Sequence, residues 1–191
     1  MLVSRKRPSV PTQIETERLL IRAPQPGDGR AINEGIRESL DELRPWMPWA
    51  QVVPSVAESE TYAREAALRF RNREDLPLLL FRQSDGLYVG SSGLHNILWS
   101  VPRFEIGYWV RTSLSGQGYI TEAVSGITAM AFERLDAVRV EIRCDARNER
   151  SAAVARRAGF TLEACLHKDS RTPDGNLRDT LVFRRLRDGL E

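Results

Sequence analysis

The residues with the clearest chemical use are the glycines of Ser115-Gly-Gln-Gly-Tyr-Ile-Thr-Glu-Ala123. They follow the apolar run Ile106-Gly-Tyr-Trp-Val110 and precede a stretch whose apolar residues, Ile120, Val124, Ile127 and Ala131, have helical spacing. A strand that turns through Gly116 and Gly118 into a helix leaves free backbone N–H groups at the helix start. Together with the helix dipole they form a site for phosphate. Glycine lets the backbone approach a ligand and take positive φ. Taken alone, Gly-x-Gly is also an ordinary tight turn. A P-loop is excluded because no Lys-Ser/Thr pair follows the glycines. A dinucleotide fold is excluded because the third glycine and the βαβ setting are missing.

A second constellation lies downstream. The apolar run Arg139-Val-Glu-Ile-Arg-Cys-Asp145 leads into Asn148-Glu-Arg-Ser-Ala-Ala-Val154 and then Arg157-Ala-Gly-Phe160. Asn148 is a natural N-cap, and Ser151 falls on the inward face of the first helical turn. A capped helix with no chemical role would read the same way.

Positioning these residues takes a mixed set of elements. Arg18–Arg22 reads as a strand closed by Pro24 and Pro26. Asp28 then caps a helix with Ile32, Ile36, Leu40 and Leu43 on one face, stopped by Pro45. Trp46-Met-Pro-Trp49 is an aromatic loop, and Ser55-Val-Ala-Glu58 is a capping box for a second helix through Tyr62, Ala66 and Phe70. From Pro77 the period changes to that of strands. Residues 78–83 and 87–90 form a hairpin around Asp85-Gly86, and residues 104–110 complete an antiparallel meander. Strand and helix then alternate: the helix after Gly118, a strand at 138–144, and a helix at 148–158 closed by Gly159. Strands at 160–166 and 179–183 follow, around the turn Pro173-Asp-Gly-Asn176. The pattern is that of one α+β domain over residues 14–191, preceded by a disordered lead-in over 1–13.

Composition bounds the function. The 191 residues are 41% apolar and 28% charged with a net charge of +2, as in an ordinary globular chain with no basic footprint for nucleic acid. Lysine occurs only at Lys6 and Lys168, and the arginines are scattered among acids. No apolar run approaches the ~18 residues that span a bilayer, and no apolar segment of a secretory signal follows the basic start. Cys144 and Cys165 read as buried free thiols. His95 and His167 have no ligand-like spacing, so no metal site is expected.

Together the two constellations resemble the GNAT acetyltransferase superfamily, and within it the RimJ/RimL branch of ribosomal-protein N-terminal acetyltransferases. Thr16-Glu-Arg-Leu-Leu-Ile-Arg22, Leu43-Arg-Pro-Trp-Met-Pro-Trp49 and Arg178-Asp-Thr-Leu-Val-Phe183 extend the resemblance from Thr16 to Arg185. Two positions depart from it: Ser115, where the superfamily usually has Arg or Gln, and Ile120, where it has Gly or Ala. The resemblance implies a mixed, mostly antiparallel sheet of about seven strands with about four helices, splayed between the fourth and fifth strands (residues 104–110 and 138–144).

It also implies acetyl-CoA as donor, with direct attack by a neutral amine and no metal. Tyr108 and Val110 would pair with the pantetheine arm. Gly116, Gln117, Gly118, Tyr119, Ile120 and Thr121 would hold the pyrophosphate, and an N–H at Trp109 or Val110 would meet the oxyanion. Glu105 would take the amine proton through water, and Ser151 would serve the departing thiolate. Asn148 would orient the arm, and Arg157 would reach a coenzyme phosphate or stay in solvent. Trp46 and Trp49 would wall the acceptor pocket or pack in a core or dimer. The implied protein is cytoplasmic, with a homodimer as one arrangement.

An α-amine is roughly 10% neutral at pH 7 and a lysine about 0.04%, a gap on the order of 3.5 kcal/mol. One plausible carboxylate base therefore suits a protein or peptide N-terminus. The alternatives are a small amine (a polyamine, amino acid or antibiotic) and a non-catalytic acyl-CoA-binding module.

Overall fold

Alternating burial organises the strands. In β3 (Leu76–Arg82), Leu76, Leu78 and Leu80 face one side, where they join Leu19, Ile21, Ile106 and Phe183 in the larger core. Leu79 and Phe81 face the other side, with Ile32, Ile36 and Tyr88. Both faces of this part of the sheet must therefore be covered. The computed structural model, which describes residues 8–187, shows how.

Eight strands form one sheet in the order β1-β2-β3-β4-β5-β6-β8-β7. Besides β3 they are β1 (Gln13–Glu15), β2 (Leu19–Arg22), β4 (Tyr88–Leu98), β5 (Arg103–Val110), β6 (Arg139–Asp145), β7 (Thr161–Arg171) and β8 (Leu177–Leu186). The helices are α1 (Gly29–Leu43), α2 (Val56–Asn72), α3 (Tyr119–Arg134) and α4 (Glu149–Arg157). All strand pairs are antiparallel except β5–β6. The short β1 is the strand that the apolar pattern did not reveal, and it makes the segment expected as the fourth strand β5. Of the expected lead-in, residues 1–7 lie outside the described residues, Val10 packs on the core, and Gln13 opens β1.

The stripe on α3 is as expected: Ile120, Val124, Ile127 and Ala131 are buried in the larger core. Truncating Ile127 there would cost about 2–5 kcal/mol. The Ser55 capping box is present in full. Asp28 holds the N-cap position of α1 but makes no cap bond. Its carboxylate accepts instead from Arg22 at 2.6 and 2.8 Å and from the Gln25 N–H at 2.6 Å, because a charged bidentate partner outcompetes a lone helix N–H. Gly159, at φ +79°, ends α4, and the Phe160 N–H donates to the Ala155 carbonyl at 3.0 Å. The buried stripe of α4 runs through Ala152, Ala155 and Ala158, with Ser151 and Val154 only partly buried. Cys165 is exposed, contrary to expectation, because β7 is an edge strand reached by little of α4.

Candidate active site

The β5–β6 pairing is short. It joins Arg103–Glu105 to Arg139–Glu141 and then stops, although both strands continue. Beyond that point the sheet opens as a wedge, at the expected place. The Arg111 N–H donates to the Val89 carbonyl at 2.8 Å, and the β4–β5 register is regular from Glu105 to Val110. In an antiparallel pair the N–H and C=O of one residue point the same way and alternate along the strand. Odd-numbered residues therefore bond β4, while Tyr108 and Val110 point their backbone groups into the wedge. Trp109, expected as a backbone contact, has its N–H committed to β4, so Val110 is left as the N–H donor inside the wedge.

Above the wedge, Gly116 and Gly118 adopt φ of +77° and +84°, and Gly118 is the N-cap of α3. The first bond of the helix runs from the Glu122 N–H to the Gly118 carbonyl. The N–H groups from Gly116 to Thr121 have no acceptor among the described residues. Residues 115–118 are exposed, while Tyr119 and Ile120 turn into the core. The turn is braced from below by Glu122, which accepts from the Thr16 hydroxyl at 2.6 Å, the Arg18 N–H at 2.7 Å and the Arg18 guanidinium at 2.7 Å. Arg18 also donates to the Gln117 carbonyl at 3.0 Å and lies over the Tyr119 ring. The partial burial of Glu122 raises its pKa, but the bonds from Thr16 and Arg18 outweigh that and lower it overall. This bracing role was not foreseen, because Thr16 and Arg18 are over a hundred residues from Glu122 in sequence. Arg157, on α4, comes to the same turn: its Nε lies 3.4 Å from the Thr121 hydroxyl.

Ser151 stands at the other wall. Asn148 caps α4 as expected, its Oδ1 accepting from the Ser151 N–H at 3.0 Å. The Tyr108 hydroxyl donates to the Ser151 carbonyl at 2.9 Å and lies 3.0 Å from the Ser151 hydroxyl. Tyr108 thus ties β5 to α4 across the wedge, a side-chain role that its strand pattern did not suggest. Burial raises the Tyr108 pKa, so the phenol stays protonated. Cys144 lies beside the same hydroxyl, and burial pushes its thiol pKa up despite the bond from Ser151.

On the opposite face, α1 and α2 cover β3 to β5 but not β6, β8 or β7. There a cleft of about 570 Å³ is lined by Asn96, Arg103, Glu105, Glu141, Arg143 and Leu166, among others. Glu105 accepts from the Asn96 amide at 2.8 Å and has no ion pair among the described residues. Glu141 is its register partner, so the cleft holds more than the one carboxylate expected. Glu141 and Glu163 are both held by Arg139, however, and Glu163 also by Arg184. Glu105 is four residues below Trp109, roughly 13 Å along the strand, so any proton transfer from an amine near Val110 must run through water. Trp49 packs against Trp109 with ring centroids 6.0 Å apart and is 49% exposed, but neither ring lines that cleft. Trp46 is partly buried in the turn after α1 and has no ring partner among the described residues.

Residues 18–161 match the family model described as Acetyltransferase (GNAT) domain. YdaF of Bacillus subtilis (strain 168), assigned as a ribosomal N-acetyltransferase, is 31% identical over 87% of this chain and 90% of its own. The ribosomal-protein-serine acetyltransferase of Escherichia coli (strain K12) is 27% identical over 65% and 68%. Among solved structures, RimL, a ribosomal L7/L12 alpha-N-protein acetyltransferase in complex with coenzyme A, superposes with a TM-score of 0.83. It is 26% identical, with 94% of this chain and 98% of RimL covered. No helix among the described residues is long and apolar enough to cross a membrane.

Proposed function

The chain belongs to the GNAT acetyltransferase family, as an acetyl-CoA-dependent acyltransferase, and we propose that its acceptor is the N-terminal α-amine of a protein, as the names of its relatives suggest. One observation carries this reading. The cleft opposite the donor turn runs along a helix-free sheet face, and Glu105 is its one carboxylate without an arginine partner among the lining residues. An open groove accommodates a chain end. A single base suits an amine that is already about 10% neutral at pH 7. A small polyamine would call for an enclosed acidic pocket, whereas here arginines neutralise the other acids.

In this reading the pyrophosphate sits on the N–H groups from Gly116 to Thr121, with Arg157 alongside, and the pantetheine arm pairs with Tyr108 and Val110. The amine nitrogen attacks the thioester carbonyl carbon, and the oxyanion is met by the Val110 N–H. The amine proton leaves through water to Glu105. The C–S bond breaks, and the thiolate takes a proton from the hydrogen-bonded pair Ser151–Tyr108, which water replenishes. The protein would act as one catalytic domain from β1 to β8, in the cytoplasm and as a homodimer, which sedimentation equilibrium checks. The deciding experiment is a thiol-release screen with acetyl-CoA against N-terminal peptides, N-blocked lysine peptides, polyamines, amino acids and aminoglycosides. Turnover confined to free N-terminal peptides supports the proposal. Preferred turnover of a small amine overturns it, and acetyl-CoA binding without thiol release from any amine assigns a binding module.

A further inference from the structure

The β7–β8 edge holds a group of side chains that acetyl transfer does not use. Cys165, His167 and Asp179 offer three ligand atoms that all lie within 4.8 Å of one another. The placement follows from strand geometry. Residues 165 and 167 are alternate positions on β7 and so share a face, and the register Cys165↔Leu181 and Leu166↔Thr180 brings Asp179 opposite His167. The pairing is interrupted between Leu166 and Ser170, with Lys168 at φ +54°. That bulge turns the Lys168 N–H onto Asp179 Oδ1 at 2.9 Å, fixing the carboxylate, while Oδ2 lies 3.0 Å from His167 Nδ1. The Lys168 N–H first, and His167 second, lower the Asp179 pKa and keep it an anion.

Packing does not account for this trio. A buried cysteine serves as a small hydrophobe, but Cys165 is exposed and the His167 side chain is 78% exposed. We propose that Cys165, His167 and Asp179 form a surface binding site for a borderline divalent transition metal, with Zn²⁺ the best match. The donor set is one thiolate, one imidazole and one carboxylate, which selects Zn²⁺ or Co²⁺ over Mg²⁺ or Ca²⁺. Ligand bonds of about 2.0–2.3 Å to a tetrahedral ion separate donor atoms by roughly 3.3–3.7 Å. The His167–Asp179 contact is already near that separation, and Cys165 needs only a side-chain rotation or a small shift. The ion takes the place between Nδ1 and Oδ2, bound by neutral imidazole whose single proton is on Nε2, and the Cys165 thiol releases one proton on becoming a thiolate. Three protein ligands leave a fourth position open to water. The bound ion cross-links β7 to β8 and stabilises that edge, independently of the acceptor proposal.

The test uses tag-free, metal-stripped full-length protein titrated with Co²⁺ and with Zn²⁺. We expect one equivalent of Co²⁺ to give a thiolate-to-cobalt charge-transfer band and the intense visible bands of a tetrahedral ion. Zn²⁺ should bleach both. Near neutral pH, Zn²⁺ binding measured in buffers of different ionisation enthalpy should release about one proton. Zn²⁺ at a hundredfold excess over its Kd should raise Tm by about 5–10 °C. Cys165→Ser should abolish the charge-transfer band, and His167→Ala and Asp179→Asn should each weaken Zn²⁺ binding at least tenfold, while Cys144→Ser changes none of these. Asp179→Asn retains an oxygen for the Lys168 N–H, so the bulge survives, and Tm of each metal-free variant verifies its fold. The proposal is overturned if folded wild-type protein gives no thiolate band, if the band persists in Cys165→Ser, or if Zn²⁺ affinity is unchanged in His167→Ala.

Discussion

The two sides of the wedge are made of different material. The proposed donor side is mostly backbone: N–H groups from Gly116 to Thr121 and the inward edge of β5 at Tyr108 and Val110. The proposed acceptor side is mostly side chain, with Glu105 and the Arg139-held Glu141 on one part of the face and Trp49 against Trp109 on another. A backbone site needs a particular chain conformation and tolerates side-chain change. This explains why Ser115 and Ile120 can depart from the superfamily's habit without altering the turn. A side-chain site is set by which residues the sheet register brings together. Donor binding and acceptor chemistry should therefore be separable by substitution.

The largest separation is expected at Gly118. Proline there is locked near φ −65° where the structure requires +84° and removes an N–H from the turn. Gly118→Pro should abolish the Tm rise given by acetyl-CoA and lower kcat/KM by at least about a hundredfold. A normal acetyl-CoA shift in folded Gly118→Pro protein would remove the phosphate assignment.

Glu105→Gln should do the reverse, leaving the acetyl-CoA shift intact and reducing kcat/KM at pH 7 by about 10–100-fold. With an α-amine acceptor the defect should shrink toward pH 8, where free base is abundant, and with a lysine only above about pH 10. A small defect at every pH would make Glu105 structural, and a large one that never recovers would make it a binding residue.

Ser151→Ala and Tyr108→Phe should each lower kcat about tenfold with little change in acetyl-CoA affinity. The double variant should fall short of the product of the two effects, since both hydroxyls serve one proton. Strict multiplicativity in stopped-flow turnover would separate their roles.

The smallest effect concerns stability alone. The lowered Glu122 pKa means its carboxylate stabilises the fold above its unfolded value near 4.5, and this contribution is lost as pH falls through the folded pKa. Glu122→Gln should lower Tm at pH 7 by roughly 2–8 °C, and the gap to wild type should narrow as pH falls below 4.5 and through the lowered folded pKa. A gap independent of pH would mean that the lost bonds, and not the charge, account for it.

The same contrast governs what was legible in the sequence. Gly116 and Gly118 announce the donor turn because only glycine takes those φ values cheaply, and Asn148 three residues before Ser151 announces a cap. The wedge position followed from the resemblance. Pairings between distant residues were not legible: Glu122 with Thr16 and Arg18, the Tyr108 hydroxyl with Ser151, Arg139 with Glu163, and Asp179 with His167. The first three depend on how elements far apart in sequence are brought together, where the insertion of β8 between β6 and β7 leaves no local signature, and the last depends on the bulge in the β7–β8 register. The exposure of Cys165 was misread for the same reason, since an apolar run does not reveal that its strand lies at a sheet edge. Asp28 was read as a cap because the competing Arg22 becomes a neighbour only when the chain has folded.

The claim that the open cleft presents an N-terminal α-amine to the thioester can be met head on. One peptide carrying a free N-terminal serine and an internal lysine is incubated with protein and acetyl-CoA at pH 7, and the acetyl group is located by tandem mass spectrometry. The account predicts acetylation of the α-amine with the lysine untouched, and loss of that product in Glu105→Gln. Acetyl on the lysine, or on neither amine while a small amine in the same tube is consumed, would contradict it.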